Sequence, residues 1–273
     1  MPTVNSIASL IERRRIAAST VHFPVSDDWL QGRTCYGGLI STLAVKAMRD
    51  VAGTTWPAEA SLRSLQTCFV APVSPGEVRI DVQLLRQGRN VCQVQTQVRQ
   101  GEQVAAALIG VFGADRPSAL QPRMPQRPAP RREADAVPPR TLPPGAPNFL
   151  QHFDMRWDNG APPFSGGEGW THRIHMRISG DEAASLSPEL QTVLLADLPP
   201  TPAVSQLSKP SAHSSVSWAL ELRPVDAANA SGWWRVDSES TMVDGGYVNH
   251  RSQLWAPGGQ LAAYGYQVVA VFT

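Results

Sequence analysis

One carboxylate stands where it could act as a base. Asp197 directly follows the apolar run 193–196 (VLLA). A carboxylate in this place either faces solvent at the end of a helix or lies in a partly buried polar pocket. Burial would raise its pKa and make it a better base near neutral pH. The residues alone leave both interpretations open.

An amide residue lies in an equally apolar setting. Gln267 falls within 264–271 (YGYQVVAV), which predicts the last strand of the chain. If the amide is buried, it needs hydrogen-bond partners. The alternative is a polar residue on the solvent face of a half-buried strand.

Three serines could supply a hydroxyl: Ser214, Ser215 and Ser217. They begin a predicted strand at 214–225. Strict alternation places Ser215 and Ser217 on its more polar face and Val216 with Trp218 on its apolar face. A serine that only decorates a solvated strand face is the competing interpretation.

A backbone site is also conceivable at the start of a helix. Tyr36, Gly37 and Gly38 precede an apolar stripe that predicts a helix over 38–53. Free N–H groups at such a terminus can hold an oxygen that gains negative charge, and glycine permits close approach. A tight connection from loop to helix, with no ligand, explains the same residues.

Other chemistries lack their residues. The chain contains no G-x-S-x-G motif, which argues against a serine hydrolase of the α/β type. His172 and His175 are three apart on a predicted strand, so they should point to opposite faces and could not readily share a metal ion.

These residues sit in a chain that repeats itself. Residues 62–113 and 216–272 carry the same landmarks in the same order, namely a strand ending near a proline, glycine turns and an Ala-rich last strand. Each copy also includes a buried helix, the second starting at Ser187-Pro188. Residues 5–16 predict a further short amphipathic helix. The pattern favours antiparallel sheets and an α+β fold.

A different composition separates the copies. Residues 114–148 hold ten of the 24 prolines and show little apolar periodicity, which predicts an extended surface linker. We therefore expect an N-terminal unit at 1–113, this linker, and a C-terminal unit at 149–273.

The bulk composition excludes several classes of partner. A net charge of +1 gives no reason to expect nucleic acid binding, and no apolar run reaches the length of a membrane span. The three cysteines form no metal-binding spacing, which suggests unpaired thiols and a cytoplasmic location.

Several segments together resemble one family. CYGGLISTLAVKAM resembles the opening of the first central helix in acyl-CoA thioesterase II-type double-hotdog proteins. LLADLPP resembles the segment that bears the acidic residue of that family, and SSVSWALELRP and LAAYGYQVV resemble the strands with its hydroxyl and glutamine residues. The resemblance covers nearly the whole chain apart from the linker and implies a double hotdog, in which antiparallel sheet wraps around central helices.

The resemblance also implies an activity and roles. A fatty acyl-CoA would be hydrolysed to the acid and CoA, with Asp197 as base and Ser215 and Gln267 aiming the water. Counting back from Arg223-Pro224 would select Ser214, but the polar strand face and the Ser-x-Ser spacing favour Ser215. Tyr36 would border the acyl group, and Gly37 and Gly38 would hold the thioester oxygen.

The resemblance implies no metal or redox cofactor, a small-molecule acyl-CoA as partner, and a tendency of hotdog units to form homo-oligomers.

Two other functions fit parts of the pattern. The family more often has threonine at position 215 and an acidic residue at position 217, where this chain has serine, so a hotdog that binds acyl thioesters without hydrolysis is one alternative. A hotdog hydratase needs a histidine paired with an acid, and no histidine lies near the start of the first central helix.

The two copies are unequal, because Gly110 of the first copy stands where the second has Gln267. We therefore expect one working site per chain.

Overall fold

The structure is a computed structural model that describes residues 5–57, 59–139, 141–180 and 182–272. Residues 1–4 and Ala58 of the expected N-terminal unit, Arg140 of the linker, and Asp181 and Thr273 of the C-terminal unit lie outside these ranges. In chain order the N-terminal elements are α1 Ile7–Glu12, β1 Arg15–Ala17, β2 Thr20–Val25, β3 Leu30–Gln31, β4 Thr34–Cys35, α2 Gly37–Val51, β5 Ser61–Phe69, β6 Gly76–Gln87, β7 Val91–Gln100 and β8 Gln103–Gly113.

The C-terminal elements repeat this plan. They are β9 Phe153–Asn159, β10 Thr171–Ile178, α3 Pro188–Ala196, β11 Ala212–Leu222, β12 Trp234–Asp244, β13 Tyr247–Trp255 and β14 Leu261–Phe272.

Twelve of the strands form one antiparallel sheet in the order β1-β2-β6-β7-β8-β5-β11-β14-β13-β12-β10-β9. Counted outward from the β5–β11 seam, the two halves run β5-β8-β7-β6-β2-β1 and β11-β14-β13-β12-β10-β9, so each strand of this sheet has its counterpart in the other copy. The seam pairs Ser217 with Cys68 and Glu221 with Ser64. The expected double hotdog is confirmed.

The two central helices lie side by side and run antiparallel on the inner face of the sheet. Arg49, near the end of α2, donates through Nε and Nη2 to the Glu189 carboxylate at 2.9 and 2.5 Å, and Glu189 lies in the first turn of α3. The Leu62 N–H also donates to Glu189, at 2.8 Å. This arrangement brings the end of α3 beside the start of α2.

The first helix is shorter than the sequence predicted. We expected it over 5–16, but α1 covers only Ile7–Glu12, with Ser6 as its cap. Residues 15–17 instead pair with Thr20–His22 as an edge strand. Residues 15–17 therefore form hydrogen bonds to a neighbouring strand instead of continuing the helix.

The linker follows the outer face of the C-terminal half. The backbone N–H groups of Arg131 and Arg132 each donate to the Asp158 carboxylate at 2.8 Å. Arg156 on β9 donates to the carbonyls of Ala134 and Val137, both at 3.0 Å. The basic pair at 131–132 thus uses its backbone to attach the linker to the sheet. Within the described ranges, every helix is too short or too polar to cross a bilayer.

Candidate functional site

Asp197 stands at the C-terminal end of α3. Ser187 caps the start of this helix, with its Oγ accepting the Leu190 N–H at 3.3 Å, and Pro188 takes the first position. The helix ends at Ala196, three residues before Pro199, because proline cannot continue it. Asp197 is therefore the capping residue, with φ −95° and ψ −5°. Its side chain is only partly buried and faces the start of α2.

The three polar side chains expected to act together do meet. Gln267 Nε2 donates to Asp197 Oδ1 at 2.9 Å and to Ser215 Oγ at 2.8 Å. Asp197 caps α3, Gln267 lies on β14 and Ser215 on β11. Gln267 is 70 positions from Asp197 and 52 from Ser215 along the chain. The arrangement joins a carboxylate and a hydroxyl through one amide nitrogen.

The expected strand face of Ser215 was wrong. The β11–β14 register shifts between Ser215 and Ser217, so Val216 forms a bulge and is 41% exposed. Ser215 pairs with Val269 on the inner face, the face of Gln267, whereas Ser217 pairs with Val268 on the outer face. A bulge adds one residue to a strand and reverses the alternation beyond it.

The competing serine takes no part in this cluster. Ser214 is exposed, and its hydroxyl donates to the Ser215 carbonyl at 3.3 Å.

The start of α2 closes one side of the carboxylate. A Cβ at position 37 would lie 2.8 Å from Asp197 Oδ2 and 2.9 Å from Phe69 Cζ, so any other residue there would displace one of these side chains. The Gly38 N–H hydrogen-bonds to the Asp197 carboxylate. The N-terminus of α2 thus faces the carboxylate, where its positive dipole end favours an anion. The amide expected to hold a substrate oxygen has Asp197 as a partner in this structure.

Burial dominates the ionisation of Asp197. It raises the pKa of the carboxyl from 3.8 to about 7, against the smaller lowering effects of the hydrogen bonds from Gln267 and Gly38. A carboxyl with this pKa is partly ionised at neutral pH and can both accept and return a proton.

Tyr36 is a buried side chain that supports the end of α3, where Asp197 stands. It is fully buried, and its ring stacks on Phe149 with centroids 4.3 Å apart. Its hydroxyl donates to the Leu194 carbonyl at 2.5 Å, which satisfies one of the free carbonyls at the end of α3. Burial, and then the charge of Asp197, raise the pKa of Tyr36. The structure therefore shows Tyr36 holding the helix that carries Asp197, and its expected contact with an acyl group stays a prediction.

The N-terminal copy has no room for the same cluster. Gly110 lies opposite Leu65 on β5, as Gln267 lies opposite Trp218 on β11. A Cβ at position 110 would be 2.6 Å from Met48 Sδ on α2. Helix packing thus fills the place that Gln267 occupies in the second copy.

Two histidines expected on opposite faces of β10 make unrelated contacts. His175 Nε2 lies 3.0 Å from the Arg132 carbonyl of the linker, whereas the ring of His172 meets Trp157 edge-on at 6.4 Å. A third histidine, His250 on β13, is buried beside Gln267 and was not anticipated. Its position could have been found only by pairing β13 with β14 in the correct register.

A cavity of about 410 Å³ lies on the far side of the sheet from Asp197. Its wall includes Cys68, Ser217 and Val268, which pair across three strands on the outer face. Gln267 and His250 also border this cavity, but the Gln267 amide donates to Asp197 and Ser215 on the inner face of the sheet.

The fold and the cluster define a double hotdog with a partly buried carboxylate at the end of its second central helix. Family models agree with this class over most of the chain: the acyl-CoA thioesterase N-terminal domain matches residues 25–113, and the acyl-CoA thioesterase C-terminal domain matches residues 124–271. The chain belongs to the acyl-CoA thioesterase family.

Solved structures share the fold over their full length. A candidate thioesterase II from Thermobifida fusca has a TM-score of 0.81 at 20% identity, covering 100% of this chain and 99% of that one. A hotdog protein of unknown function from Alicyclobacillus acidocaldarius has a TM-score of 0.80 at 19% identity, covering 99% of each chain. The acyl-CoA thioesterase II TesB2 of Mycobacterium marinum has a TM-score of 0.70 at 17% identity, covering 97% of this chain and 98% of that one. At these identities the likeness shows the fold alone. No curated protein sequence matches the chain significantly.

Proposed function

We propose that this protein hydrolyses a fatty acyl-CoA to the free acid and CoA, with Asp197 as general base. The observation that carries the proposal is the Gln267 amide, which joins the Asp197 carboxylate to the Ser215 hydroxyl. Thioester hydrolysis needs a base, groups that orient a water molecule, and donors for the developing oxyanion. Membership of the acyl-CoA thioesterase family supports the substrate class.

The proposed reaction has two steps. The ionised Asp197 takes a proton from water while the water oxygen bonds to the thioester carbonyl carbon, and Ser215 and Gln267 hold that water in line. The carbonyl oxygen becomes an oxyanion at the start of α2, beside the backbone N–H of Gly37. When the oxyanion reforms the carbonyl, the C–S bond breaks and the proton on Asp197 passes to the CoA thiolate. The raised pKa of Asp197 suits both transfers.

We also propose that each chain has one such site and that the chain divides at 1–113, 114–148 and 149–273. Support for one site comes from the packing at Gly110, where Met48 leaves no space for a side chain. A cytoplasmic location and a homo-oligomeric state stay predictions from the sequence.

The experiment is to measure thiol release from acyl-CoA substrates of increasing chain length. We expect hydrolysis by the native protein and a loss of at least about 100-fold in Asp197→Asn, as for other general bases. Asp50→Asn is the matched control, because Asp50 lies at the opposite end of α2 in an ion pair with Arg14 at 2.6 Å. No hydrolysis at any chain length, or full activity in Asp197→Asn, would rule the proposal out. Calorimetric binding of acyl-CoA without turnover would favour the non-hydrolysing alternative.

A further inference from the structure

The amide of Gln267 works in only one of its two orientations. Its Nε2 carries two hydrogens, and Asp197 Oδ1 and Ser215 Oγ accept them at 2.9 and 2.8 Å. A rotation by 180° would turn Oε1 toward Asp197 Oδ1 and place two acceptors against each other. With both hydrogens used, Oε1 faces away from Asp197 and needs a donor.

His250 is the residue placed to supply that donor. It lies directly opposite Gln267 in the β13–β14 pairing, on the same inner face, and is 8% exposed. Its side chain lies beside that of Gln267, and among the described residues its Nδ1 has no hydrogen-bond partner. To donate to Oε1, which can only accept, the ring must carry its proton on the nitrogen that faces Gln267, and the unpartnered Nδ1 leaves Nε2 for that role.

The surroundings of His250 leave Gln267 as its functional neighbour. Ser240 lies opposite His250 on β12, but its Oγ is already engaged with Thr201 Oγ1 and the Ala203 N–H, both at 3.0 Å. The titratable group near it on β10 is His172. Burial lowers the pKa of His250 to about 4 and that of His172 to about 3, so both rings are neutral at neutral pH. A neutral imidazole has a single N–H to donate.

We propose that His250 is a positioning residue that fixes the orientation of the Gln267 amide and so the direction in which Gln267 donates to Asp197 and Ser215. The chain of donors then runs from His250 to Gln267 and from Gln267 to the carboxylate and the hydroxyl. The effect of His250 on hydrolysis rests on the function proposed above. Its effect on the hydrogen bond to Asp197 does not.

Three variants separate this role from simple packing. His250→Leu keeps much of the buried volume and removes the donor, and His250→Gln restores an N–H that can reach Oε1. His172→Leu is the matched control, since it removes a buried histidine from the neighbouring region of the same inner face without touching Gln267. The primary readout is the pKa of Asp197, followed by carbon-13 NMR and assigned with Asp197→Asn.

We expect His250→Leu to raise the pKa of Asp197 by about one pH unit, because a net hydrogen bond of that order is lost from the carboxylate. Turnover at neutral pH should fall about 10-fold with KM little changed, as expected for a misplaced water-orienting group. His250→Gln should recover most of both values, and His172→Leu should leave both unchanged. In a Gln267→Ala background, His250→Leu should have no further effect on turnover.

An unchanged Asp197 pKa in His250→Leu, or an equal change in His172→Leu, would overturn the proposal. If His250→Leu does not fold, nitrogen-15 NMR of the native protein decides, since the proposal requires the proton on Nε2 and is refuted by a proton on Nδ1. A native protein that hydrolyses no acyl-CoA would reject the proposed function, while the NMR measurements would still test the role of His250.

Discussion

The partly buried Asp197 carboxylate should make the folded protein less stable than it could be. In Asp197→Asn the side chain keeps its shape and an oxygen that can accept from Gln267, but it loses the ability to ionise. The folded state holds the pKa of Asp197 at about 7, above 3.8 for the free group, so it binds the proton more tightly than the unfolded state does. The protonated carboxyl therefore favours the folded state fully below pH 4. This contribution to the free energy of unfolding is lost as the pH rises through 7.

The size of the effect follows from that difference. A pKa raised from 3.8 to about 7 corresponds to a cost of about 4 kcal/mol above pH 7. Because Asp197 is partly exposed, solvent screens some of this cost, and we expect about 2–4 kcal/mol. The variant should match the native protein near pH 4 and become more stable with increasing pH until about pH 7.

Urea unfolding of both proteins from pH 4 to 9 measures this difference directly. Asp158→Asn is the contrasting control. The buried Asp158 carboxylate accepts two backbone N–H bonds at 2.8 Å, and that variant should lose about 1–3 kcal/mol. A destabilised Asp197→Asn, or a gain that does not change with pH, would refute the assignment of a raised pKa to Asp197.

Three further substitutions test individual contacts. Gly37→Ala would place its Cβ 2.8 Å from Asp197 Oδ2, so turnover should fall roughly 10- to 100-fold. Circular dichroism should show that the fold is retained. A fully active variant would contradict the close approach of position 37 to Asp197. Ser215→Ala should lower kcat by a similar factor while Ser217→Ala, on the outer face, should not, and equal effects would argue against the bulge. Tyr36→Phe removes the bond to the Leu194 carbonyl and should cost about 1 kcal/mol in urea unfolding, and no loss would mean that this hydroxyl does not support the end of α3.

Local sequence patterns predicted the larger elements well. The apolar stripe after Gly37 predicted the first central helix, and Ser187-Pro188 with Pro199-Pro200 bracketed the second. The repeat predicted two similar halves, which the strand order shows. These features depend on neighbours within a few turns or on direct comparison of the two copies.

What the sequence missed depends on contacts between distant strands. The bulge at Val216 lies in the pairing of β11 with β14, which local alternation does not reveal, so simple alternation placed Ser215 on the wrong face. The hydrogen bond from Gly38 to Asp197 likewise needs the antiparallel packing of α2 and α3. Ser215 was chosen over Ser214 from the polar strand face and the Ser-x-Ser spacing; the strand-face argument was wrong, although Ser215 is the serine bonded to Gln267.

The central claim is that Asp197 is the base that activates water. The measurement that tests it most directly is kcat/KM for CoA release as a function of pH. We predict a rise from acid to neutral pH with an apparent pKa of about 7, because only the ionised carboxylate accepts a proton, and loss of this rise with the activity in Asp197→Asn. A rise centred near pH 4, or one that Asp197→Asn retains, would contradict the account.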